Sequence, residues 1–361
     1  MLNTRRIIFW GLSIPIIYYL CLNVFYILTP SFFDHIEPSI VMQSFLVTEG
    51  KQIFTDINSA DRISSVYGPV PYIITAIFLK LFSDPILAGK ISGIFLTLSS
   101  LIIMFVILKK KFSTSISYLC IAYFIIIFLP FGHISFWNRP DSAALFGCSI
   151  VCWGLLTKNK TFSSILFALG TAICIDAKIP AIFVVFPLLV IYLLDRGFKV
   201  ALWTIVISVL FAFSPFFLCK SFNLFNYINW LKAETGHPFL VDQLVRTIIY
   251  SILFSLPLFF VIGINFSNIS AALRKGTQKQ IIVNLSALLI SFLLAAIPAS
   301  KEGSGSYHLL PFAYVIGLLL ASGIKKLKET KTELHIYNSR ILRLTSGAIG
   351  TFWIIAIMFQ C

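Results

Sequence analysis

The feature that most limits this chain is a succession of apolar blocks, each about 16 to 22 residues long, separated by short polar breaks. About 20 apolar residues, rising 1.5 Å each in a helix, cross the hydrocarbon core of a bilayer. In lipid such a block must satisfy its own backbone N–H and C=O groups, and a single segment does so only as a helix. Charged residues make up 12% of the chain against 58% hydrophobic ones, too few to cover a soluble surface. The sequence therefore predicts one all-α polytopic membrane domain over 1–361. Spans are expected at 7–28, 87–108, 115–132, 141–156, 162–176, 180–194, 200–219, 246–264, 281–297, 309–324 and 345–359, eleven in all.

The net charge of +14 would fit nucleic acid if the basic residues lined one soluble face. They sit instead in small clusters at block ends, which is the pattern of membrane topology, so no nucleic-acid partner is expected. Arg5 and Arg6 precede the run 7–28, which is longer than a signal-peptide core and lacks a small-residue cleavage site; it reads as an uncleaved first span. A cytoplasmic N-terminus puts most of the 28 basic residues inside, among them Lys109, Lys110, Lys111, Lys158, Lys160, Arg196, Lys199, Arg274, Lys275, Lys279 and the cluster over 325–343. Of the acids, Asp195, Glu329 and Glu333 then lie inside and the others outside.

Two outer loops are long, 29–86 and 220–243. In the first, the apolar stretch 69–82 is expected to lie against the membrane as an interfacial helix. The second carries Tyr227, Trp230, Glu234, His237 and Asp242, whose acids and histidine show no regular ligand spacing and read as solvated loop residues. The seven cysteines lie in or beside apolar blocks or at the chain end, and read as packing thiols. Glycosylation sequons at Asn159, Asn265 and Asn268 fall on the cytoplasmic side, where they stay unmodified. No Walker loop, dinucleotide fingerprint, HExxH or catalytic-serine elbow is present.

Chemistry is expected just beyond the first span, where Asp34, His35, Ile36 and Glu37 follow Thr29 and Pro30. A carboxylate beside the bilayer is shielded from bulk water, so its pKa can be tuned for work as a base. The plain alternative is a solvated acidic turn. After it come a helical stretch to Glu49, a glycine–aromatic–acid step through Gly50, Phe54 and Asp56, and then Tyr67, Gly68, Pro69, Val70, Pro71 and Tyr72. Asn138, Arg139, Pro140 and Asp141 open a later span, Lys178 and Pro180 form a Lys-x-Pro turn, and a glycine-rich stretch runs from Lys301 through Tyr307 and His308 to Pro311.

In this order the motifs resemble the GT-C superfamily of membrane glycosyltransferases, above all the dolichyl-phosphate-mannose mannosyltransferase-like group that includes the bacterial aminoarabinose transferases. Two departures stand out: His35 and Ile36 separate the two acids, and Gly68 stands where many relatives have a second proline. They leave the choice between Asp34 and Glu37 as base open.

The resemblance implies transfer of a sugar from a polyprenyl-phosphate donor to a hydroxyl of a lipid, glycan or protein acceptor. The reaction would run at the extracytoplasmic face of a bacterial plasma membrane, with inversion at the anomeric carbon. It implies Asp34 as general base, with Glu37 positioning the acceptor or sharing the role. Arg139, Lys178 and Lys301 would be the cations for the donor phosphate, and Tyr67, Tyr72, Asp141, Tyr307 and His308 substrate-binding residues. Some relatives use a divalent cation and others do not, so no cofactor and no metal ligands are assigned.

Plainer readings stand beside these: an Arg139–Asp141 pair, a Lys178–Asp176 pair, a snorkelling Lys301, a hydrogen-bonded interfacial His308, and Tyr67 and Tyr72 as membrane-interface aromatics. The rival class is a secondary transporter or lipid flippase. Such a protein would carry polar groups or broken helices at the middle of the bilayer, whereas most charges here lie at outer helix ends.

Overall fold

The computed structural model describes residues 2–63, 66–131, 134–264 and 279–330, together with Gly347. The expected span 345–359 lies outside the described residues apart from Gly347, and the sequons at Asn265 and Asn268 lie outside them altogether. Thirteen α-helices follow one another: α1 (Leu2–Leu28), α2 (Ile36–Thr48), α3 (Pro69–Leu81), α4 (Pro85–Lys111), α5 (Thr114–Phe128), α6 (Pro140–Leu156), α7 (Lys160–Ala177), α8 (Ile182–Arg196), α9 (Phe198–Leu218), α10 (Leu224–Glu234), α11 (Val241–Ile264), α12 (Lys279–Ala299) and α13 (Phe312–Thr330). Among the described residues there is no strand, only an isolated bridge between Phe239 and Lys301.

Nine of these segments are long and apolar enough to cross a membrane, so the expected count of eleven is not reached among the described residues. The expected span 141–156 is the difference that can be seen: α6 has 17 residues, against 18 to 27 for the nine segments. Pro140 starts it at a position where a missing N–H costs nothing. Almost every α6 side chain is buried among its neighbours. Gly147 and Gly170 let α6 and α7 approach closely; a Cβ on Gly147 would lie 2.8 Å from the Gly170 carbonyl oxygen, and one on Gly170 would lie 2.5 Å from the Val151 nitrogen. Small residues at a contact are how helices pack where no hydrophobic drive separates them from lipid. α9 is the opposite case, with Trp203, Leu210, Phe217 and Leu218 exposed along a face suited to acyl chains.

The ends of the helices follow local chemistry. The Asp84 side chain accepts from the N–H groups of Ile86 and Leu87 at 2.8 and 3.3 Å and starts α4, while Lys109, Lys110 and Lys111 meet the negative end of its dipole. The first long loop folds into α2 and α3. The second folds into α10, capped by Asn223, which accepts from the Asn226 N–H at 3.1 Å.

The two long loops form one body. Phe54 is fully buried, its ring centroid 4.9 Å from that of Tyr227, 5.7 Å from Phe222, 6.0 Å from Phe216 and 6.3 Å from Tyr72. Polar bonds fasten the same seam: Asn226 Nδ2 donates to the Phe54 carbonyl and Trp230 Nε1 to the Thr55 carbonyl, both at 2.9 Å. Ile53 N–H donates to the Ser221 carbonyl at 3.1 Å. The glycine–aromatic–acid step is thus a latch between loops more than 150 residues apart.

Candidate active site

The turn that carries Asp34 is held from inside by Glu37. Glu37 has no exposed surface; its Oε1 accepts from the N–H groups of Phe33 and Asp34 at 3.0 and 3.2 Å, and its Oε2 accepts from the Tyr26 hydroxyl. Burial raises its pKa from 4.5 to about 7, against the lowering effect of the backbone hydrogen bonds and of the Lys90 charge. Lys90, also fully buried, donates to the carbonyls of Tyr26 at 2.8 Å and Thr29 at 2.5 Å, the last turn of α1, and stands 4.7 Å from the Tyr26 ring centroid. A cation on orphan carbonyls at a helix C-terminus satisfies both charge and hydrogen bonding. The expectation that Glu37 meets the acceptor does not fit this burial: both its oxygens are spent on the turn.

Asp34 faces the other way. Its Oδ2 pairs with Arg139 Nη1, and its Oδ1 takes His35 Nδ1 at 2.8 Å and the Ile36 N–H at 3.3 Å. Arg139 is the extended residue before Pro140 that caps α6, and Asp141 lies in the first turn of α6, where the helix dipole favours an anion. Arg139 Nε reaches Asp141 Oδ2 at 3.4 Å, and Lys178 Nζ pairs with Asp141 Oδ1. Four charges from three distant segments thus form one chain, Asp34–Arg139–Asp141–Lys178, with side-chain exposures of 10, 6, 0 and 5%.

The Lys178–Asp176 pairing weighed from the sequence gives way to Lys178–Asp141. Lys178 leaves the helix in an extended conformation, φ −160° and ψ 132°, and its side chain reaches across to α6 instead of back along α7. Burial pulls the Lys178 ammonium pKa down, and Asp141 acts against that pull.

Tyr307, in the short turn Ser306–Leu309, covers the quartet; its ring centroid is 5.1 Å from Arg139 Cζ and 5.3 Å from Lys178 Nζ, within cation–π range of both. His308 stacks on Tyr307 at 5.1 Å. Its Nδ1 is buried with no hydrogen-bond partner, so the hydrogen-bonded alternative is not met at that nitrogen. Tyr67 lies beside this group, its hydroxyl held protonated by burial and by Tyr307 and Asp141 nearby. Tyr72 lines a pocket with Tyr67 and His35 next to the Asp34 turn.

Lys301 stands apart. It donates to the Thr235 carbonyl at 2.6 Å, and no ion pair joins it to the quartet among the described residues. Glu234 and His237 form a half-exposed pair at 3.2 Å. Among the described residues no group of three His, Cys, Asp or Glu is placed to hold a metal ion. Four of the cysteines, Cys120, Cys148, Cys152 and Cys174, are fully buried free thiols.

A helical bundle with two short helices after its first span, and an acidic turn facing cations at the heads of later helices, shares its fold with solved structures of ArnT. Solved structures similar to this chain include two of ArnT from Cupriavidus metallidurans. The structure bound to undecaprenyl phosphate matches with a TM-score of 0.60 and 12% identity, over 96% of this chain and 71% of that one. The apo structure matches with a TM-score of 0.57 and 11% identity, over 90% and 70%. By sequence, no family model and no curated protein matches.

Proposed function

We propose that this chain is a membrane glycosyltransferase that moves a sugar from a polyprenyl-phosphate donor to an acceptor hydroxyl at the extracytoplasmic face. The observation that carries the reading is the buried Asp34–Arg139–Asp141–Lys178 chain, which puts a carboxylate and two cations in one shielded place at the heads of the helices. The ArnT structure described with undecaprenyl phosphate, which shares the fold, supports the class of donor. Low water content strengthens every charge interaction in such a site.

In the proposed step the acceptor oxygen attacks the anomeric carbon while its proton passes to Asp34. The bond from that carbon to the phosphate oxygen breaks, and the electron pair leaves with the polyprenyl phosphate. A single displacement of this kind inverts the anomeric centre. Charge grows on the leaving phosphate, so Arg139 and Lys178 stabilise the transition state more than the ground state. Glu37 acts as a positioning residue: by holding the Phe33 and Asp34 N–H groups it aims the base. His308, with its unpartnered buried nitrogen beside these cations, is the further polar group offered to donor or acceptor.

The test incubates the purified chain with polyprenyl-phosphate sugars and follows release of polyprenyl phosphate. General-base removal in Asp34→Asn is expected to slow release by about 10² to 10⁴-fold with normal folding. An Asp34→Asn variant that keeps a tenth or more of the wild-type rate defeats the assignment. Uptake of the substrate into liposomes with no bond broken would favour a transporter instead.

A further inference from the structure

We infer that the pocket between α2 and the head of α3 is the acceptor subsite and takes an uncharged sugar ring. The inference rests on Asp34 being the base and says from which side its hydroxyl partner comes.

The two oxygens of Asp34 face different surroundings. Oδ2 belongs to the cation side, paired with Arg139, and through Asp141 to Lys178. Oδ1 is bonded to His35 and to the Ile36 N–H, and both of these residues form part of the pocket wall. A phosphate therefore finds its counter-charges on one side of the base, and a hydroxyl in the pocket stands beside the two residues that hold the other oxygen. The His35 imidazole on Oδ1 is 90% exposed, so it can swing away and yield its place to that hydroxyl.

The wall itself selects against charge. Among the described residues of the wall none is Lys, Arg, Asp or Glu, so an anion there would lose its water with no cation in return. Polar capacity comes from Ser39 and Gln43 and flat apolar surface from Tyr67 and Tyr72, with Ile40 among the aliphatic remainder. Hydroxyl and amide groups offer both donors and acceptors, which is what a sugar's alternating hydroxyls require, and tyrosine rings suit its C–H face. The wall is also built rather than incidental: Gln43 and Tyr72 are 2% and 1% exposed, and Gln43 Nε2 donates to Ser39 Oγ at 3.0 Å. The pocket volume is about 100 Å³. One water needs about 10 to 15 Å³ by such a measure, so the space suits one sugar ring and is too small for a nucleotide.

The test uses saturation-transfer NMR on the full chain in nanodiscs. The probes are methyl α-D-glucopyranoside, methyl α-D-mannopyranoside and methyl N-acetyl-β-D-glucosaminide. The ring protons of at least one probe are expected to receive saturation. The signal should fall at least about fivefold in Ser39→Phe and in Gln43→Leu, and should persist when undecaprenyl phosphate is added in excess. Silence from all three probes, an unchanged signal in both variants, or loss of the signal on adding undecaprenyl phosphate would each overturn the inference. Thermal-shift binding of undecaprenyl phosphate is read on the same samples. Both variants are expected to keep it, and loss of it in both would give the pocket to the donor instead. A wild-type chain that binds undecaprenyl phosphate but ignores the glycosides refutes the subsite alone. One that binds neither refutes the donor reading as well.

Discussion

Replacing Glu37 by glutamine separates the roles of Asp34 and Glu37. Glu37 Oε1 receives two backbone N–H groups and Oε2 the Tyr26 hydroxyl. Glutamine keeps one oxygen for the N–H pair and turns its amide toward Tyr26, whose hydroxyl can accept as readily as it donates. The cost at pH 7 is expected to be within about 1 kcal/mol. Alanine at the same place strands the buried Tyr26 hydroxyl, at about 1 to 3 kcal/mol, leaves two part-buried N–H groups without their acceptor and opens a cavity.

The charge makes a second readout. Burial raises the Glu37 pKa from 4.5 to about 7, so between those values the folded chain binds more proton than the unfolded one. This contribution is therefore fully present below pH 4.5 and is lost as pH rises through 7. The shift corresponds to about 3 kcal/mol between the two limits. In detergent, the wild-type unfolding midpoint should fall from pH 5 to pH 7.5, and Glu37→Gln should flatten much of that slope. In the polyprenyl-phosphate release assay Glu37→Gln should stay within about tenfold of wild type, an effect of positioning only. If it loses as much as Asp34→Asn while folding normally, Glu37 is the base and the account of the turn is wrong.

Lys178→Met leaves Asp141 buried with only the longer Arg139 contact, and is expected to cost about 3 to 5 kcal/mol; Asp141→Asn added to it should recover part of that loss in the same unfolding measurement. Gly68→Ala would put a Cβ 2.4 Å from the Asp176 carbonyl oxygen, so a loss of about 1 to 3 kcal/mol is expected, and an unchanged midpoint would contradict the packing of α3 on α7. Orientation is checked by cysteines placed at two exposed positions: Glu49 should react with an impermeant reagent from outside and Lys110 should not, and the reverse result inverts the topology.

Most of the bundle was legible because a bilayer imposes one solution on an apolar block. α4, α7, α9 and α12 follow the expected spans to within a few residues, with capping residues such as Asp84 and Asn159 marking the starts. α6 also begins and ends within one residue of the expected 141–156, but composition shows that a segment is apolar and not what covers it. Its neighbours are set by contacts such as Gly147 against Gly170, which have no local signature.

The site was legible as a set of residues but not as a set of pairs. Arg139, Asp141 and Lys178 were expected near the chemistry, yet the partner of Lys178 depends on the extended turn after α7, which a residue two places away does not reveal. Lys301 had the right sequence surroundings, but its carbonyl partner at Thr235 comes from the folding of the second loop. Lys90 was missed inside a long apolar run. The signal was there: one lysine in an otherwise apolar span has to find a partner, and the nearest end of α1 supplies two carbonyls.

The latch centred on Phe54 bears on how such a chain could be rebuilt. Because the first and second long loops bury a shared set of rings, neither is a separable module. A chimera that takes 220–243 from another protein while keeping the native 50–56 leaves Phe54 facing a foreign surface, and the misfit falls on the stretch between α2 and α3. Exchange of loops between this chain and another of the same fold therefore calls for transplanting both segments together, as a matched lock and key.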